Sequence, residues 1–147
     1  FGSVFMCQHK TPETVWLPEL LTHANTACGL DAILALSEDP DADGQRFARL
    51  WADGATRASG GGVAVSTGAN SAPLVLLQRE EMQALYPDVD LSLTPKGAFT
   101  ALRIKVSDMN AARQCLKDAD ITPITTQAGL AVAPQHASGV IVEFVPA

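Results

Sequence analysis

Apolar and polar positions along this chain follow two rhythms. Alternation with a period of two marks strands, and a period near 3.6 marks helices. Residues 1–7 are apolar and β-prone, and Pro12 ends any regular strand beyond them. Residues 14–22 read as a turn or two of helix or as a loop, carrying Trp16 and interrupted by Pro18. Residues 30–36 read as a strand with Ala32, Leu34 and Leu36 on one face. Residues 37–41 form a strand exit whose carboxylates suit the positive end of a helix. The spacing of Phe47, Leu50 and Trp51 then predicts a helix over residues 43–52, stopped by Asp53-Gly54. Strands are expected at 56–59, 63–66 and 73–78, the first two joined by Gly60-Gly61-Gly62. A short helix over 80–86 ends at Pro87, and 88–97 is a connector. A strand over 99–106 leads into a helix over 108–119, with Ala112, Cys115, Leu116 and Ala119 as its inner face. Three strands close the chain at 121–126, 130–133 and 140–145.

The second half repeats the order of the first. Ser37-Glu38 aligns with Ser107-Asp108 at an offset of 70, which matches Ala32, Leu34 and Leu36 to Leu102, Ile104 and Val106. Residues 63–66 match 130–133, and 71–77 match 138–144, both at an offset of 67. This divides the chain into an arm (1–29) and a folded unit (30–147). The unit holds module one (30–78), a connector (79–97) and module two (98–147), each module of order βαβββ. The fold class expected is α+β, with the two βαβββ modules pairing into one curved mixed sheet and helices on its outer face. Alternation then puts Asp31, Ile33 and Ala35 on the inner face of the first strand, with Ala32, Leu34 and Leu36 under the helix. It puts Ala101, Arg103 and Lys105, and Ile141, Glu143 and Val145, on the same inner face, a polar cup. A slip of one residue would reverse such an assignment.

Composition narrows the function classes. The chain has 147 residues, 47% hydrophobic and 18% charged, which suits one domain with its own core and excludes a disordered tail or coiled coil. Ten basic against sixteen acidic side chains leave a formal charge of −6. That argues against nucleic acid and against an anionic membrane surface as partners. No apolar run has the length of a membrane span. Cys7, Cys28 and Cys115 are scattered, form no CxxC pair and fit a reducing cytoplasm. The chain opens on Phe1 with a strand-like segment, which reads as part of a longer protein.

The strand exits Leu36-Ser37-Glu38-Asp39-Pro40 and Val106-Ser107-Asp108, with the closing Gly139-Val140-Ile141-Val142-Glu143-Phe144, give residues 23–146 a recognisable cast. They resemble the vicinal oxygen chelate superfamily of glyoxalases, bleomycin-resistance proteins and dioxygenases. The opening Phe5-Met6-Cys7-Gln8-His9, with Pro12-Glu13, Trp16 and His23-Ala24-Asn25, is similar to the linker of two-domain bacterial glyoxalase-like proteins. That likeness implies that residues 1–29 carry the last strand of a preceding domain, and that an N-terminal domain of the same protein is a partner. Members of the superfamily typically hold one divalent metal with two His or Gln and two Glu from the first and last strands of each module. Those positions fall on Asp31, Leu76, Ala101 and Glu143. Leu76 and Ala101 carry no donor, and two carboxylates without an imidazole suit a hard cation better than a transition metal.

The resemblance implies a glyoxalase-like small-molecule-binding domain with a degenerate metal site. The alternative it leaves open is a metal-dependent lyase, isomerase or dioxygenase, with a divalent metal ion as cofactor. Fold alone does not decide whether the chain is an enzyme. A third reading is a structural dimerisation domain, whose cleft would be filled by its own side chains. Glu143 is the expected catalytic residue and metal ligand, or else the partner of Arg103 or Lys105 in an ion pair. Arg103 and Lys105 suit an anionic ligand, Arg in a bidentate mode. Asp31 and His136, the latter in the hairpin before the last strand, complete the substrate-binding expectation. The Cys7–His9 pair lacks a third ligand and reads as linker; His23 reads as a loop hydrogen-bonding group. Cys28 and Cys115 are expected as small buried hydrophobes. Gly60-Gly61-Gly62 lacks the Lys-Ser/Thr of a phosphate loop, and no Gly-x-Ser-x-Gly elbow is present. A small-molecule ligand and a second copy of the chain complete the expected partners.

Overall fold

The computed structural model describes residues 7–51, 54–94 and 99–147. The strand expected over residues 1–7 therefore lies, apart from Cys7, outside the described residues. Eight strands run in the order β1 (Ala27–Leu36), β2 (Thr56–Ser59), β3 (Gly62–Val65), β4 (Leu74–Leu77), β5 (Phe99–Val106), β6 (Ile124–Thr125), β7 (Leu130–Val132) and β8 (Ile141–Pro146). The α-helices are α1 (Pro40–Ala48), α2 (Arg79–Leu85) and α3 (Met109–Asp118). All eight strands join one sheet in the order β2-β3-β4-β1-β5-β8-β7-β6. β1 runs parallel to β4 and β5 parallel to β8, while the modules meet through the antiparallel β1–β5 pair. The chain is thus an α+β fold of two βαβββ modules sharing a mixed sheet.

Two aspartates start the outer helices. Asp39 accepts a hydrogen bond from the Ala42 amide at 3.0 Å, and Pro40 occupies the first turn. Asp108 accepts from the amides of Asn110 and Ala111 at 2.7 and 3.3 Å. The cap carboxylate supplies an acceptor for a first-turn amide, and proline in that turn removes one N–H that would otherwise need one. It brings α1 forward from the expected residue 43 to Pro40. The helix ends at Ala48, so Leu50 is exposed rather than part of a buried stripe. Phe47 packs on Ala35, Val65, Leu74 and Leu76, with Ile33 beside them and Trp51 stacked on its ring at 6.5 Å. In module two, Ala112 and Leu116 of α3 pack on Val106, Val132 and Phe144.

The caps also correct the frame of the repeat. Asp39 and Asp108 lie 69 residues apart, not the 70 read from the two serines. At 69, Ala32, Leu34 and Leu36 match Ala101, Arg103 and Lys105, and both sets belong to the inner face. The face under α1 is instead Ile33 and Ala35, the reverse of the expected phase, because one residue of slip inverts a strand. On the last strands, Ala64 pairs with Val75 as Ala131 pairs with Glu143, so the module-one counterpart of Glu143 is Val75 rather than Leu76. The offset of 67 does hold for β3 and β7. Gly62 and Gly129 occupy matching places, where an added Cβ would lie 2.1 Å from the Leu76 carbonyl oxygen and 2.0 Å from that of Phe144.

The inner face is covered from within. Ala32, Leu34, Leu36, Leu77, Ala101, Ala131 and Ile141 pack against Met82, Tyr86, Val89 and Leu91, which come from α2 and the segment after it. The connector is therefore a third layer, and the cup expected to be an open cleft is filled with side chains. Burying a side chain of this size is worth roughly 1.5–3 kcal/mol. Lifting the connector off the sheet would forfeit several such increments at once.

The arm reaches the fold at Thr26, whose hydroxyl donates to the Asp108 carbonyl at 3.1 Å and accepts from the Asp108 amide at 3.0 Å. β1 begins at Ala27, within the stretch expected as arm. Val15, Trp16, Leu20 and Leu21 are exposed. Among the described residues, no helix is long and apolar enough to cross a membrane.

Candidate functional site

β5 and β8 run parallel in a register that sets Arg103 beside Glu143. Glu143 is 0% exposed. Its Oε2 accepts from the Tyr86 hydroxyl at 2.7 Å and from Arg103 Nε at 2.6 Å. Its Oε1 accepts from the Thr126 hydroxyl, and the Thr126 oxygen in turn accepts from the Gly129 amide at 2.9 Å. One carboxylate thus ties together the connector, β5, β8 and the β6–β7 turn. A buried carboxylate costs several kcal/mol of desolvation unless a cation and further donors satisfy it. Here all of them are present.

The electrostatics follow from this arrangement. Burial, and then the Glu143 charge, hold the Tyr86 phenol well above its ordinary pKa. Burial by itself would lower the pKa of Arg103; the Tyr86 and Glu143 oxygens outweigh it and raise it above the ordinary guanidinium value. Tyr86 therefore stays a neutral donor, and Arg103 stays a cation.

Lys105, two residues further along β5, carries its Nζ 3.7 Å from Asp31 Oδ1. Asp31 reaches it from a bulge. The register steps from Leu30 opposite Ile104 to Ala32 opposite Arg103, leaving Asp31 as the extra residue. The side chains of Lys105 and Asp31 are 44% and 36% exposed, and a pair of that kind is weak. The Arg103 side chain is 21% exposed and lies two residues from Lys105 on the same strand face.

Arg103, Lys105, Asp31 and Glu143 are thus neighbours, but His136 is not among them. It is exposed in the turn before β8, whose first residue lies beside Ala101, at the other end of the strands from Lys105. His9 packs edge-on to Trp16 in the arm. Cys28 is exposed rather than buried, and Cys115 is half-buried. An open groove of about 520 Å³ beside the start of β1 is lined by Leu21, His23, Leu30 and Ile104, away from Glu143. Sequence reasoning missed Tyr86 and Thr126. Tyr86 carries a signal, since it is the single tyrosine and follows Met82 by four on a short helix. Thr126 carries none.

A divalent metal does not fit these residues. Both Glu143 oxygens already accept hydrogen bonds, and a guanidinium that repels cations sits 2.6 Å away. The other inner-face positions, Ala32, Val75 and Ala101, offer no donor. Among the described residues, no three His, Cys, Asp or Glu side chains gather closely enough to hold a metal ion.

The sequence matches no family profile and no curated protein. Solved structures do match. Methylmalonyl-CoA epimerase from Mycobacterium tuberculosis superposes with a TM-score of 0.56 at 20% identity, over 85% of this chain and 96% of that one. A second methylmalonyl-CoA epimerase gives 0.58 at 10% identity, over 82% and 96%. A hypothetical protein from Bacillus halodurans C-125 gives 0.53 at 15%, over 80% and 93%. The fold is glyoxalase-like, as in these structures. At these identities the likeness is one of fold, and the epimerase reaction stays with those proteins.

Proposed function

We propose that this chain is a small-molecule-binding module of the glyoxalase-like fold that works without a metal centre. It takes an anionic ligand at Arg103 and Lys105, on the rim of the inner face. The observation that carries this reading is the commitment of Glu143 to Arg103. A guanidinium fixed at Nε by a buried carboxylate is pre-organised for a carboxylate or phosphate at its exposed edge. Lys105 adds a second charge on the same face, in an exposed ion pair that a ligand displaces at little cost.

Malonate and inorganic phosphate are the probes. Titrated into isotope-labelled protein at constant ionic strength, one of them should saturably shift the amides of residues 103–105 and Asp31. Lys105→Gln should weaken that binding by about tenfold, the worth of one charged hydrogen bond. Shifts no larger than those from chloride would refute the reading.

The exposed Val15, Trp16, Leu20 and Leu21 support a further part of the proposal, that the arm docks on an N-terminal domain of the same protein. In a longer gene product carrying Trp51→Phe, Trp16 emission should be blue-shifted from that of this chain alone. Unshifted emission would count against docking. Three free cysteines support a cytoplasmic setting.

A further inference from the structure

We infer that Tyr86 and Glu143 form an internal latch holding the connector on the inner face, so that the carboxylate which the resemblance assigns to a metal anchors the chain itself. Three observations support this. First, the latch sits where a ligand carboxylate would need open space. Its Oε2 is shared between Tyr86 and Arg103, and its Oε1 is held by Thr126. Second, the connector is braced to move as one piece. Gln83 Nε2 donates to the carbonyls of Tyr86 at 2.9 Å and Val89 at 3.1 Å, closing the turn after α2 on itself. Asp90 then caps the next turn through the Ser92 amide at 2.9 Å. A stiff segment can be held by one strong hydrogen bond near its middle, where a floppy one would peel residue by residue. Third, the residues packed beneath it are apolar, so the latch is a polar bond that helps give this packing one orientation.

The inference shares Glu143 and Arg103 with the anion reading but involves neither Lys105 nor any anion, so a failure of anion binding leaves the latch standing. Native-state hydrogen exchange tests it. The amides of Met82, Tyr86 and Val89 donate to the Gln78, Met82 and Tyr86 carbonyls and report the connector, and the Ile33 amide, bonded to the Pro73 carbonyl, reports the sheet. Tyr86→Phe should speed exchange of the three connector amides roughly ten- to hundredfold, while Ile33 changes by far less. Gln83→Ala, which leaves the latch untouched, should speed the Val89 amide most. Manganese and nickel ions should give no thermal stabilisation that depends on Glu143. Unchanged connector rates in Tyr86→Phe, or equal acceleration at Ile33, would overturn the latch. So would a metal-induced stabilisation that Glu143→Gln abolishes.

Discussion

Replacing Arg103 by Met should be among the most damaging changes available to this fold outside its glycines. The perturbation removes the cation 2.6 Å from a carboxylate that is 0% exposed, while keeping most of the side-chain volume. Breaking a buried ion pair from one side typically costs about 3–5 kcal/mol, because the remaining charge is left uncompensated. Two features place the cost near the lower end. Glu143 keeps the Tyr86 and Thr126 hydroxyls, and Arg103 itself is partly wet. For a domain of this size about 3 kcal/mol corresponds to a fall of roughly 6–12 °C in Tm. Urea unfolding followed by circular dichroism reads the free energy, and a thermal melt reads Tm. The triple variant Arg103→Met, Glu143→Leu, Tyr86→Phe supplies the control. It removes the carboxylate, the cation and the phenol together and leaves only the half-buried Thr126 hydroxyl, which keeps its bond from the Gly129 amide, so it should lose less than the single change. A single-variant loss under about 1 kcal/mol, or a triple variant worse than the single, would refute the reading of Glu143 as a buried, fully satisfied hub.

Other positions give sharper structural tests. Gly129→Ala should cost about 3 kcal/mol or more, since its Cβ would collide with the Phe144 carbonyl; Gly60→Ala, at positive φ in open space, should cost only about 1–2 kcal/mol by chemical denaturation. Asp108→Ala should lose about 1 kcal/mol through the missing cap of α3, and Asp108→Asn should restore most of it. Tyr86 also sets an alkaline limit. Its folded pKa is raised, so its contribution is fully present below the unfolded phenol value near pH 10 and is lost as pH rises above that. Wild-type stability should therefore fall more steeply above about pH 10 than that of Tyr86→Phe; parallel curves would contradict this.

The repeat and the α+β architecture were legible because element order survives small errors of register. The strand phases of β5 and β8 follow from local patterns; the pairing of the Asp39 and Asp108 caps, one residue off the serine alignment, and the matched glycines at 62 and 129 came only with the structure. The phase of β1 was not legible. Ala32, Leu34, Leu36 and Ile33, Ala35 are apolar on both sides, because α1 covers one face and the connector the other. A strand buried on both faces has no alternation to read, and the bulge at Asp31 removes the remaining clue. The pairing of Glu143 with Arg103 could be read from alternation on neighbouring strands. Its ties to Tyr86 and Thr126 could not, since those residues lie 57 and 17 positions away on elements with no pattern pointing inward.

Tyrosinate absorbance during an alkaline titration tests the central claim most directly, because Tyr86 is the chain's single tyrosine and every signal belongs to it. With the connector latched on a closed inner face, the folded protein should show no tyrosinate through the ordinary phenol range near pH 10, and the band should appear only together with loss of the circular dichroism signal. A smooth, reversible titration near pH 10 in protein that keeps its fold would mean that Tyr86 is open to water, and the latch would be contradicted.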